Sequence, residues 1–270
     1  MTDQIFREAD MERIEMLFRS KASHQYVSTI TGEMSVNKSI IYFLLDIMQQ
    51  VELDSLRKEE QIVAALMVNG AFDTHEHVQI EPVQSALHKK KRQLTILAGD
   101  YHWSLYYSML AHQIHAPILK VFSSSIQQIN EEKMRLHLAE SKDRNDFIKR
   151  LETVESGFLQ NIAFYYGQRK TAEAANTFFM FKRLNDELQV QEQQPLSAFM
   201  AAVHAYWTND VEASLQEDAV LGLEELHWLQ ELRENYFLEL QRHAAELPET
   251  SLFFSHIKDT ISQYENKFIQ

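Results

Sequence analysis

Arg92-Gln93-Leu94-Thr95-Ile96-Leu97-Ala98-Gly99-Asp100-Tyr101 sets a glycine and a carboxylate inside an otherwise apolar helical segment. Glycine in a helix interior costs about 0.5–1 kcal/mol relative to alanine, and a buried polar group without a partner costs a few kcal/mol more. Both residues therefore need a local reason. Gly99 is expected to let a neighbouring helix approach closely, and Asp100 to be buried against donors such as a helix N-terminus, a basic side chain or a tyrosine. The periodicity around this segment predicts a helix from about Lys90 to Ile114, ending before Pro117.

One helix upstream, about Leu56 to Val78, carries Ile62, Leu66, Asn69, Asp73 and His77 at spacings of three and four. This stripe begins apolar and ends polar. Its last turns read Asp73-Thr74-His75-Glu76-His77, which sets carboxylates and imidazoles one turn apart. On these five residues alone, a helix end emerging into solvent is a better account than a metal site.

Helical periodicity continues almost throughout. A first helix is expected to carry Ile5, Met11, Ile14 and Phe18 on one face, and a second to span Val36 to Val51 with Ser35 as its cap. Asp54 or Ser55 would cap the helix after that. Further helices are expected at 117–140, 143–167, 170–190, 196–208, 211–217, 220–246 and 251–267, with Gln191 to Pro195 as a connector. Six glycines and four prolines in 270 residues leave few breaks, so the fold class is all-α. One helical domain over 1–270 is expected.

The net charge of −13 argues against a general nucleic-acid or anionic-membrane surface, because both require clustered cations. The single basic run, Lys89 to Arg92, reads as a solvated helix start. The chain contains no cysteine, which excludes disulfides and thiolate ligands and fits a cytoplasmic location. Met1 to Asp10 has no apolar stretch of signal-peptide length, and no run approaches the roughly 20 residues of a membrane span.

Leu97-Ala98-Gly99-Asp100-Tyr101 resembles the Leu-Ala-Gly-Asp-Tyr/Phe segment of trans-prenyl diphosphate synthases, where it follows the first D-D-x-x-D motif by roughly the separation of Asp73 and Asp100. The likeness is closer to the small accessory subunits of two-component heptaprenyl diphosphate synthases. It is carried by Ala71-Phe72-Asp73-Thr74-His75, by residues 92–101, and by Tyr106-Tyr107-Ser108, Ile129-Asn130-Glu131, Val154-Glu155-Ser156 and 179–184. Together these span about Gln61 to Leu184. The resemblance implies the helical isoprenoid synthase fold, with prenyl-synthase-like helices over about 1–190 and additional C-terminal helices over about 191–270.

It also implies where catalytic chemistry fails. Catalytic relatives hold Mg²⁺ with two aspartate-rich clusters, and the metal stabilises the departing diphosphate. At the first cluster this chain keeps Asp73 but has Thr74 and His77 in place of the other two aspartates. Ile80-Glu81-Pro82-Val83-Gln84 offers no guanidinium, and Glu155-Ser156 stands where relatives carry a diphosphate-binding lysine and threonine. Near the second cluster Lys182 and Arg183 stand among Asn185, Asp186 and Glu187. Without charge compensation for the leaving group the chain is expected to be inactive alone, with no catalytic residue and no metal of its own. Mg²⁺ is then expected in a catalytic partner that carries both motifs, with a homodimer as the state of the chain alone. The resemblance further implies that the helix from Arg92 to Ile114 and the one bearing Asp73 face the partner subunit, with Trp103, Tyr106 and Tyr107 as candidate anchors.

Two other readings stay open on the residues themselves. Twelve histidines invite a metal enzyme, but di-iron bundles need two Glu-x-x-His pairs and only Glu224-Glu225-Leu226-His227 has that spacing. The aromatic run at 101–107 suits a ligand pocket, a core or an interface. A helical scaffold or ligand-binding protein without a prenyl role would share the same composition.

Overall fold

Asn37 and Asp54 show how local chemistry starts these helices. The Asn37 side chain accepts from Ser39 N at 3.1 Å, and Asp54 accepts from Arg57 N at 3.0 Å, each satisfying a backbone donor that the first turn leaves open. The computed structural model describes residues 8–31, 36–78, 85–111, 116–190, 196–216 and 218–267. In chain order its helices are α1 Glu8–Ala22, α2 Gln25–Thr31, α3 Lys38–Gln49, α4 Ser55–Glu76, α5 Ala86–Ala111, α6 Ala116–His137, α7 Arg144–Tyr165, α8 Arg169–Gln189, α9 Ala198–Thr208, α10 Val211–Ser214, α11 Leu223–Ala244 and α12 Leu252–Lys267. No strand occurs among the described residues, so the all-α class holds.

The expected helices are present, with ends shifted by a few residues. Ser35, Ile5, Ile114 and the connector 191–195 lie outside the described residues. Asn37 performs the capping expected of Ser35. Pro117 sits in the first turn of α6, where its missing N–H is no loss. The short α2 was not expected: Val27, Thr29, Ile30 and Thr31 are β-branched, and this helix forms where it packs on α5. No helix among the described residues is long and apolar enough to cross a membrane.

The chain divides into two compact units, residues 1–120 and 121–270. In the first, α4 is the centre: Ile62 to Val68 are buried on every side. Against it α1 places Met11, Ile14 and Phe18, α3 places Phe43, Leu44 and Ile47, and α5 places Ala98, His102, Tyr106 and Leu110. Each fully buried large side chain contributes about 1.5–3 kcal/mol by leaving water. Beyond Ala71 the packing thins, and α4 ends with Asp73, Glu76 and His77 exposed.

In the second unit α8 packs against both α7 and α11, and α12 covers α11. Its core is aromatic, with Phe178 edge-on to Phe253 at 5.3 Å and Phe181 edge-on to Tyr264 at 5.0 Å. The α7–α8 turn depends on Gly167, whose φ of +73° lets Gln168 N–H reach back to the Ala163 carbonyl at 2.9 Å.

Candidate functional site

The last two turns of α4 face α5 closely, and Gly99 makes the approach possible. The His75 ring lies against this glycine, with its Nε2 3.6 Å from the Asp100 carboxylate. Thr74 and His77 bond back to carbonyls of their own helix. The Thr74 hydroxyl donates to the Gly70 carbonyl at 2.6 Å, and His77 Nδ1 lies 2.7 Å from the Asp73 carbonyl oxygen and 3.7 Å from its carboxylate.

Magnesium requires several hard oxygen ligands. The Thr74 oxygen is engaged with backbone, and the two imidazoles are poor ligands for this ion. Among the described residues no group of three or more His, Cys, Asp or Glu side chains is placed to hold a metal. The donor set at Asp73, Thr74, His75, Glu76 and His77 does not fit a magnesium cluster.

The expected burial of Asp100 is corrected: its side chain is 61% exposed and its neighbour is an imidazole. Successive helical residues turn by 100°, so with Gly99 facing α4, Asp100 lies on the flank of the contact, where its carboxylate meets both the His75 ring and solvent. Leu97, Tyr101 and Tyr107 are exposed as well. Tyr101 meets His24 edge-on at 6.5 Å.

The three expected anchors separate in the same way. Trp103 packs edge-on against Phe72 at 4.9 Å, and Tyr106, buried, packs edge-on against Trp103 at 5.9 Å. These two belong to the unit's own packing, whereas Tyr107 is 57% exposed. His102, within the aromatic run, is buried, bonded to the Ala22 backbone and held below the ordinary imidazole range by desolvation.

In the second unit the groups expected at the diphosphate and second metal positions meet one another. Arg183 Nε stands 3.9 Å from the Glu155 carboxylate and 2.9 Å from that of Glu187. Its guanidinium also lies over the Phe199 ring, 5.3 Å from the centroid. Glu187 accepts from the Ser197 hydroxyl at 2.8 Å, and Lys182 pairs with Asp186 at 2.7 Å. Each remaining acid on this stretch of α8 is thus neutralised by a neighbour.

Beside them lies a network that sequence reading did not find. One oxygen of Glu152 accepts from Asn176 Nδ2 and from the Tyr236 hydroxyl, both at 2.7 Å. The Ser156 hydroxyl donates to Asn176 Oδ1 at 2.7 Å. These bonds tie α7, α8 and α11 together. The candidate Glu-x-x-His pair is Glu224 with His227, and both are exposed, His227 lying 3.1 Å from Glu231, while Glu225 between them is buried and bonds His204 at 2.9 Å.

Residues 24–229 match the family described as heptaprenyl diphosphate synthase (HEPPP synthase) subunit 1. Over 126 residues the chain is 28% identical to heptaprenyl diphosphate synthase component 1 of Geobacillus stearothermophilus. That match takes in 47% of this chain and 56% of the relative, so it spans little more than half of the relative's length. Among solved structures, heptaprenyl diphosphate synthase from Staphylococcus aureus is similar with a TM-score of 0.67 at 12% identity, over 96% of this chain and 99% of that one. The polyprenyl synthase from Caulobacter crescentus, complexed with calcium and isoprenyl diphosphate, gives 0.65 at 12% identity, over 93% and 94%. Identities this low speak for the fold alone, and the fold is that of the trans-prenyl synthases. The family match covers most of the sequence, and the chain belongs to the heptaprenyl diphosphate synthase subunit 1 family.

Proposed function

We propose that this chain is the non-catalytic accessory subunit of a two-component heptaprenyl diphosphate synthase in the cytoplasm. It supports a partner that carries both D-D-x-x-D clusters, binds Mg²⁺ and elongates farnesyl diphosphate with isopentenyl diphosphate, the product serving the menaquinone side chain. The two units act as one prenyl-synthase-like domain, and the chain alone forms a homodimer.

The observation that carries this reading is the contact between Glu155 and Arg183. A lysine facing a metal-binding aspartate serves a diphosphate; a glutamate facing an arginine serves the fold. The reversed pair presents no net cation to a leaving group that bears about three negative charges, and such compensation is the largest source of rate in this kind of chemistry. Subunit pairing would use the exposed face of α5 around Leu97, Tyr101 and Tyr107.

The test is an assay of purified chain with Mg²⁺, isopentenyl diphosphate and farnesyl diphosphate, with and without a catalytic subunit. No product from the chain alone, and a rise in long-chain product when it joins the partner, is expected. Turnover by the chain alone would overturn the non-catalytic role. Failure to bind or stimulate the partner would favour a scaffold without a prenyl role.

A further inference from the structure

The start of α5 stands apart from the rest of this acidic protein. The contact between His75 and Gly99 sets the register of α4 and α5, and α4 ends one residue after His75. Residues 86–95 of α5 therefore run on past that end. Apart from the half-buried His88, Ser85 to Lys91 are exposed. This projecting segment carries Leu87, Lys89, Lys90, Lys91 and Arg92.

Leu87 is 69% exposed, and Tyr26 on the neighbouring α2 is 50% exposed with the Lys90 ammonium 5.1 Å from its ring centroid. Among the described residues Lys89, Lys90 and Lys91 pair with no carboxylate. A folded protein ordinarily spreads such cations among acids. Here they are concentrated on one projecting helix end, with an aliphatic and an aromatic side chain beside them.

We infer that the first two turns of α5 form a docking surface for an anionic lipid bilayer, with Lys89, Lys90 and Lys91 facing the headgroups and Leu87 and Tyr26 entering the interfacial layer. Clustered cations on a helix are drawn to the negative surface potential of such membranes, and leucine and tyrosine suit the boundary between headgroup and acyl chain. The net charge of −13 does not oppose this. Exposed charges separated by more than about 8 Å are largely screened at physiological ionic strength, so local sign governs contact. Residues 121–270 hold 24 of the 39 acidic residues and 14 of the 26 basic ones, which leaves residues 1–120 nearly balanced. Nucleic acid is less well matched, because a short basic run neutralises few phosphates and leaves Leu87 without use. The inference stands independently of the accessory role.

The experiment is co-sedimentation of the full chain with phosphatidylcholine vesicles, with and without phosphatidylglycerol, at low and high salt. Binding to the anionic vesicles alone, lost at high salt, is expected. The triple variant K89E/K90E/K91E should lower the bound fraction about tenfold or more, since each cation near such a surface contributes to attraction. Leu87→Asp should weaken binding at moderate salt. All four positions are exposed, so circular dichroism and thermal unfolding should be unchanged.

The surface is not a membrane site if wild-type chain ignores anionic vesicles, if the triple variant binds as well as wild type, or if neutral vesicles serve equally. Capture of single-stranded DNA or polyglutamate in preference to vesicles would also overturn it. In a lipid-free assay the triple variant should stimulate the catalytic subunit as wild type does. Loss of stimulation there would assign the lysines to the partner contact instead.

Discussion

The His75 ring fills the space that a side chain on Gly99 would need. A Cβ built on Gly99 would stand 2.5 Å from Cδ2 and 2.9 Å from Cε1 of that imidazole, well inside the 3.5–4.0 Å at which carbon atoms pack. Gly99→Ala should therefore destabilise the chain by about 1–3 kcal/mol through overpacking, despite alanine's better helix propensity. Truncating the imidazole should relieve this. Urea unfolding of Gly99→Ala, His75→Ala and the double variant should show the double close to His75→Ala alone. Strictly additive losses would mean that the two residues do not share this space.

The Glu152 carboxylate is expected to govern the stability of the second unit. It accepts from both Asn176 and Tyr236, and the Tyr236 side chain is buried. Burial, with the carboxylate beside it, pushes the Tyr236 hydroxyl far above the ordinary tyrosine range, so it remains a donor throughout the working pH range. Hydrogen bonds to a charged group contribute about 1.5–3 kcal/mol. Tyr236→Phe should cost about that much. Glu152→Ala should cost more, because it strands two donors, and Glu152→Gln should fall between wild type and alanine. Chemical denaturation ranks the three, and an alanine variant no weaker than Tyr236→Phe would remove Glu152 from the centre of the network.

Acid sensitivity should come in part from two histidines, His102, which is buried, and His256, which is half-buried. Desolvation lowers the values of His102 and His256; the Ala22 backbone bond opposes this at His102, and Asp259 opposes it at His256. Coulombic repulsion from His75 and Lys182, respectively, adds to the lowering. Unfolded chain takes up these protons near pH 6.5, before folded chain does. The stability linked to them is thus whole above about pH 6.5 and is lost as pH falls toward the lowered folded values. Melting temperature should decline from pH 7 to about pH 5, and the decline should flatten in the His102→Gln/His256→Gln double variant. An unchanged slope in that variant would place the acid response on other groups.

Helix existence was legible in the sequence because apolar spacing survives without knowledge of neighbours. Orientation was not legible at Asp100: of a glycine and an aspartate side by side in a helix only one can sit at the centre of a contact, and the register with His75 puts Gly99 there and Asp100 at its exposed edge. The Glu155 and Arg183 substitutions could be read individually, but their contact depends on how α7 lies on α8. The Glu152–Asn176–Tyr236 network joins residues as many as 84 positions apart and carries no local pattern. His102 gave no signal because, inside an aromatic run, a buried histidine reads like a surface one. The β-branched α2 was missed because packing on α5 outweighs its weak intrinsic preference.

The aromatic run on α5 should divide under mutation into a structural part and an associating part. Trp103 is half-buried on Phe72, and Tyr106 is buried beside it, so removing either ring opens a gap in the first unit. Trp103→Ala is expected to cost about 2–4 kcal/mol of folding stability, at or below the usual range for a large aromatic lost from a core. Tyr107 is 57% exposed and Leu97 59% exposed, so their alanine variants should alter unfolding by about 0.5 kcal/mol or less. If α5 pairs with the catalytic subunit, the cost of these variants appears on association instead. Buried aromatics at interface centres typically lose about 2 kcal/mol or more when truncated, roughly a thirtyfold weakening. Thermal unfolding of the chain alone, together with titration of each variant into the catalytic subunit, separates the two effects. Tyr107→Ala and Leu97→Ala should melt like wild type yet need far higher concentrations to stimulate prenyl elongation. Full stimulation at wild-type concentrations by both variants would move the interface off this face of α5.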